Sequence, residues 1–126
     1  MEQQQKRIMR YIEERYGGEP EHLWTKYPDY AVFRHPGSQK WYAAFLIVPR
    51  NKLGLDGTEA APVLDVKCSP LMIGSLLSEK GFLPAYHMNK NTWITILLDE
   101  SVPDDKICSL LEFSYDSVAP KRKRQP

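Results

Sequence analysis

An α+β fold, an antiparallel sheet with helices packed on it, is predicted by three features of this sequence. Apolar residues recur at helical spacing near both ends of the chain, short β-branched and aromatic runs lie between them, and Gly, Pro and Asn turn signals divide those runs. The expected order is α-β-β-β-α-β-β-α. The first helix spans Glu2 to Tyr16, where Ile8, Ile12 and Tyr16 stand four residues apart among Lys, Arg and Glu, and Gly17-Gly18 ends it. A three-stranded meander follows at about Tyr30–Arg34, Lys40–Val48 and Pro62–Lys67, divided by His35-Pro36-Gly37-Ser38 and by the segment Asn51 to Gly57. Its middle strand is apolar on both faces and so is expected between two neighbours. Ser69-Pro70 is an N-cap followed by a first-turn proline. Leu71, Met72, Ser75, Leu76 and Lys80 continue at helical spacing to Gly81. Thr92 to Asp99 alternates, with Ile94, Ile96 and Leu98 on one face and Trp93, Thr95 and Leu97 on the other, and Phe82 to His87 is its expected hairpin partner. Pro103-Asp104-Asp105 opens a last helix whose apolar side is Ile107, Leu110, Leu111, Ser114 and Val118, closed by Pro120.

The chain has 126 residues, 42% apolar and 26% charged, which fits one folded domain over 1–120 followed by a disordered basic tail at 121–126. No apolar run reaches the roughly 18 residues that cross a bilayer, and the N-terminal MEQQQKRIMR has no apolar signal core, so a cytoplasmic monomer away from membranes is expected. Cys68 and Cys108 are expected to be reduced, buried thiols. Neither lies in a CxxC or Cys/His cluster, so no metal and no cofactor are expected. The net charge of +1 conceals an asymmetry. Without Lys121, Arg122, Lys123 and Arg124, 13 basic residues face 16 acidic ones, a balance of −3.

The sequence contains no GxSxG, P-loop, GxGxxG or HExxH, and His22, His35 and His87 stand in no nucleophile motif, so a non-enzymatic protein is expected. The carboxylate pairs Glu13-Glu14 and Asp104-Asp105 read as a solvated helix face and a helix N-terminus. One window is more informative. Between Asp29 and Asp56 there is no acidic residue, while Arg34, Lys40, Arg50 and Lys52 fall at the ends of the expected strands. Lys and Arg on hairpin tips can contact phosphates with little sequence preference, or can simply be solvated. In a meander the two pairs lie at opposite ends of the middle strand, about 25–30 Å apart, as two wings. The segment Ala85 to Trp93 gathers Tyr86, His87, Asn89, Lys90, Asn91 and Trp93. Amide donors, a cation and stacking rings suit a nucleotide or small anionic ligand, whereas Asn89-Lys90-Asn91 equally suits a plain turn with Trp93 packed beneath the last helix.

VKCSP (Val66 to Pro70), AYHMNKNTW (Ala85 to Trp93) and SYDSV (Ser114 to Val118), in this order and spacing, resemble the bacterial MmcQ/YjbR-like family. WTKYPDYAVFRH and KWYAAF look like that family's first strands, so the resemblance spans about residues 1–120. It implies a CyaY-like, frataxin-resembling domain and a DNA-binding role through a double-wing arrangement of loops. The matching positions are Lys67, Cys68, Tyr86, His87, Asn89, Lys90, Trp93, Ser114 and Tyr115. Ala85 stands where members often have Gly, Thr92 where they often have His, and the early turn is Pro28-Asp29-Tyr30. If the signature is structural, the Tyr115 hydroxyl and an Asn amide would tie the last helix to the 85–93 hairpin by buried hydrogen bonds.

The leading expectation is a DNA-binding domain in which Arg34, Lys40, Arg50, Lys52 and Lys67 contact phosphates, with His87, Asn89, Lys90 and Trp93 as a second contact surface. The alternative is a small-ligand or protein-interaction module using Tyr86, His87, Asn89 and Trp93. Iron handling by analogy with frataxin is disfavoured, because Glu2, Glu13 and Glu14 on the first helix are outnumbered by Lys6, Arg7, Arg10 and Arg15.

Overall fold

The first apolar stripe forms α1 (Gln4–Tyr16), with Ile8 and Ile12 buried; Gly17 ends it in the left-handed region at φ 65°, its N–H donating to Glu13 O at 2.9 Å. The structure is a computed structural model that describes residues 2–120, so the expected disorder at 121–126 lies outside the described residues. Five strands follow: β1 (Ala31–Arg34), β2 (Trp41–Pro49), β3 (Ala60–Lys67), β4 (Phe82–Pro84) and β5 (Trp93–Leu97). They form one sheet in the order β1-β2-β3-β5-β4, antiparallel throughout. β2 lies between β1 and β3, as its two apolar faces require, and β3 is the middle strand of the five.

Between the strands come α2 (Pro70–Leu76) and, at the end, α3 (Asp104–Ser117). Ser69 caps α2 by accepting from Met72 N, as its sequence predicts. The helix is shorter and turned differently than expected. It stops at Leu76 rather than Gly81, Ile73 and Leu76 are the buried residues, and Leu71 is 91% exposed. Gly74 weakens the helix interior, and the sheet selects the Ile73/Leu76 edge of a segment whose apolar residues occur on more than one side.

Strand alternation gives the sheet two faces. On one, α1 and α3 seat Ile8, Ile12, Ile107 and Leu111 against Phe45, Leu64, Val66, Ile94 and Ile96. All five residues expected on the inner side of α3 are buried there. The other face carries Leu46, Val48, Val63 and Leu97 and, among the described residues, receives no helix longer than the 3-10 turn Arg50–Leu53. Tyr30 and Leu53 are buried on it, and Trp24, Leu55 and Tyr86 pack at its margin. Cys68 is buried, Cys108 is half-buried, and both are free thiols. Among the described residues no helix is long and apolar enough to cross a membrane.

Candidate binding cleft

The open face owes its shape to a bulge. Phe33 pairs with Ala43 but Arg34 with Trp41, so Tyr42 has no partner of its own. Tyr42 joins the helix-side core, and Trp41 lines the opposite face. The segment before β1 folds down beside it. Glu21 and Val32 exchange both backbone bonds at 3.0 Å, and the turns Tyr27 N to Trp24 O (3.2 Å) and Tyr30 N to Tyr27 O (3.0 Å) place three rings together. Trp24 meets Tyr30 and Trp41 edge-on, at 5.8 and 5.9 Å between ring centres, while Tyr27 stacks on Tyr30 at 4.7 Å.

The loop between β4 and β5 closes the far side. His87 has φ 62°, a left-handed conformation uncommon for a side chain of this size, and its ring lies 4.1 Å from that of Tyr86. His87 and Met88, with Trp24, Tyr27, Tyr30, Trp41 and the floor residue Leu46, enclose a cleft of about 430 Å³. That volume is within the range of small-ligand sites, and its walls are mostly aromatic.

Next to this cleft, under the same loop, lies a buried carboxyl. Asp65 on β3 faces Thr95 on β5 in register, and both are fully buried. The Thr95 hydroxyl donates to Asp65 Oδ1 and accepts from Tyr86 N at 2.9 Å, whereas Asp65 Oδ2 has no partner among the described residues. Burial pushes the Asp65 carboxyl up to about 7, opposed by the Thr95 hydrogen bond and the Lys90 charge.

Two of the four expected basic tips are not free cations. Arg34 is bound to Glu21 at 2.8 Å, donates to Gln39 O at 3.1 Å and lies over the Trp41 ring at 5.8 Å. Arg50 donates to Asp56 O at 2.8 Å and lies 3.8 Å from the Glu59 carboxylate. The acid-free window is thus supplied with oxygen partners from just outside it. Lys40 and Lys52 are exposed, and among the described residues neither forms an ion pair.

The remaining expected site residues are dispersed. Lys67 is half-buried at the end of β3, opposite Trp93. Lys90 donates to Ala85 O at 2.9 Å and braces its own loop. Asn89 Oδ1 accepts from Asn91 N at 2.8 Å, and Asn89 O accepts from Thr92 N and Trp93 N. Trp93 lies on the face away from Ile94, as its alternation predicts, and therefore not beneath α3. Of Tyr86, His87, Asn89 and Trp93, only His87 lines the cleft.

Nor does the SY element reach the 85–93 hairpin. The Ser114 hydroxyl donates to Tyr42 O and accepts from Lys67 N at 2.9 Å, tying α3 to β2 and β3, while the Tyr115 ring packs on Tyr16, Tyr42 and His35. The correction is one of faces: α3 and the 85–93 loop lie on opposite sides of the sheet. Sequence reasoning passed over Trp24, Tyr27, Tyr30, Trp41 and Met88. The available signal was three large aromatics in the seven turn-rich residues Trp24 to Tyr30.

Together these features define a small α+β domain whose helices cover one side of an antiparallel sheet and whose other side carries an aromatic cleft. The chain belongs to the YjbR family, whose model matches residues 14–117. It is 40% identical over 108 residues to YyaQ of Bacillus subtilis, covering 86% of this chain and 92% of that one. A crystal structure of a Pseudomonas syringae protein is 42% identical and superposes with a TM-score of 0.87 over 90% of this chain and 97% of that one. DR2400 of Deinococcus radiodurans, a DUF419 domain, shares the fold at 22% identity with a TM-score of 0.68, covering 92% of this chain and 78% of the other.

Proposed function

We propose that this YjbR-type domain is a non-enzymatic binding domain whose open-face cleft takes the flat ring of a small heteroaromatic ligand. The observation that carries this reading is the set of aromatic walls converging on one hollow from three separate segments, with His87 held in a left-handed conformation at the rim. Stacking on such rings contributes about 1–3 kcal/mol per contact, and the His87 ring nitrogens supply a hydrogen bond that orients a nucleobase-like edge. A panel of nucleosides and nucleotides, titrated against labelled protein, is expected to shift the amides of 24–30, 41 and 87–88 and to quench tryptophan fluorescence. Trp24→Ala and Trp41→Ala are each expected to weaken binding at least about tenfold. Amides that stay still with every ring compound would overturn the reading.

A second reading, contact with duplex DNA, is favoured by the exposed Lys40 and Lys52, one at each end of β2. It predicts salt-dependent shifts at the β1–β2 turn and the Arg50–Leu53 turn, with the cleft unmoved, and loss of affinity in Lys40→Glu with Lys52→Glu irrespective of DNA sequence.

A further inference from the structure

The buried carboxyl of Asp65 has no role in a stacking cleft, yet it sits at the root of the loop that forms one cleft wall. A relay leads outward from it. Asp65 accepts from the Thr95 hydroxyl, that oxygen accepts from Tyr86 N, and the next residue is His87, whose left-handed backbone turns the chain toward Met88. Among the described residues Asp65 Oδ2 has no partner. Burial with an orphan oxygen costs the anion more than the neutral acid, since a buried carboxylate carries a desolvation penalty that the single Thr95 hydrogen bond does not offset.

The charged and titratable groups around it are few. On β3, Lys67 lies two residues along the same face. On β2 the in-register neighbour is Ala44, on β5 it is Thr95, and the overlying loop contributes Tyr86, His87 and Lys90. Among these, Lys90 is the cation whose field acts on the carboxyl, and its ammonium is held at Ala85 O, on the same short loop.

We propose that Asp65 is a protonation-operated latch for the 85–92 loop. The neutral acid leaves the Lys90 ammonium on Ala85 O and so keeps His87 and Met88 in the cleft wall. Loss of the proton to solvent draws Lys90 away from Ala85 O toward the carboxylate and opens that wall. The latch itself is independent of any ligand; its consequence, tighter binding on the acid side of neutrality, rests on the cleft reading above.

The test is an NMR pH titration of the ligand-free protein from about pH 5 to about pH 9, following the Asp65 carboxyl carbon and the amides of 85–91. His87→Asn serves as the background, because it takes the imidazole out of the loop and tolerates a left-handed φ. The expected result is one shared midpoint near 7, with the loop amides no longer titrating in Asp65→Asn or in Lys90→Met, and the carboxyl midpoint shifted upward in Lys90→Met. Loop amides that titrate unchanged in Asp65→Asn would overturn the latch. So would a carboxyl carbon that titrates in the ordinary acid range, or one that titrates near 7 while the loop stays still. If Asp65→Asn does not fold, the co-titration of carboxyl and loop, and its loss in Lys90→Met, decide the matter. Where a ring compound binds, its Kd is expected to rise as pH passes 7 and to stay level in Asp65→Asn. A panel without any binder would end the cleft reading and leave the ligand-free titration decisive for the latch.

Discussion

The two faces of the sheet hold their polar groups differently. On the helix side the Gln4 amide and the Ser114 hydroxyl are tied by hydrogen bonds, while the buried Tyr16 and Tyr42 hydroxyls have no partner among the described residues. The Gln4 amide donates to Val102 O at 2.7 Å and Asp104 Oδ1 at 2.8 Å and accepts from Glu100 N at 2.9 Å, and Ser114 is bonded to both β2 and β3. On the open side Asp65 keeps an oxygen without a partner, His87 adopts a left-handed backbone, and a cleft of about 430 Å³ stays open among tryptophan and tyrosine rings. The unpartnered hydroxyls of the helix side are sealed within a packed core, out of a ligand's reach. The hollow among the rings marks the side where a ligand can still contribute.

The contrast breaks most visibly if truncation costs the same on both sides. Ile107→Ala, in the fully packed face, is expected to cost about 3 kcal/mol by urea unfolding. Trp24→Ala, at the half-exposed cleft, is expected to cost about 1 kcal/mol while removing ring binding. Equal losses would make the open face a second core rather than a site.

Next comes the pH dependence of stability. The Asp65 carboxyl is pushed from 3.8 up to about 7 on folding, so the native state binds a proton that the unfolded chain releases. Its contribution is therefore full below about pH 4, declines as pH rises toward 7 and is level above. Asp65→Asn is expected to flatten that decline and to gain on the wild type at about pH 8, read by chemical denaturation across the range. A smaller effect is expected for Ser114→Ala, which leaves Lys67 N and Tyr42 O without their shared hydroxyl and costs about 1–2 kcal/mol.

The smallest effect has the opposite pH sign and sharpens the comparison. Asp104, at the start of α3, is held below the ordinary carboxylate range by its hydrogen bonds with Arg7 and with Gln4. Its contribution is present above 3.8 and fades as pH falls through its lowered value. Asp104→Asn is therefore expected to weaken the protein at neutral pH and to converge with the wild type in strong acid.

Much of the helix side was legible from spacing, because Ile8 and Ile12, or Ile107, Leu110, Leu111, Ser114 and Val118, recur with the helical period and each such stripe can face only one way. α2 was less so. Its apolar residues occupy more than one side of a two-turn helix, and the sheet decided between Leu71 and Ile73. The basic window misled for a similar reason. Counting acids between Asp29 and Asp56 could not show that Glu21, eight residues before the window, would meet Arg34 across an isolated bridge to β1.

The amino-acid order by itself determined the elements, their sequence along the chain and the family, since periodicity, caps and turn residues act over only a few neighbours. Tertiary structure alone decided the cleft. Its rings come from the segment before β1, from β2 and from the β4–β5 loop, and only a bulge opposite Phe33 and Arg34 places Trp41 among them. Such a hollow depends on the pairing register of strands distant along the chain, and no local pattern encodes which faces those strands will share.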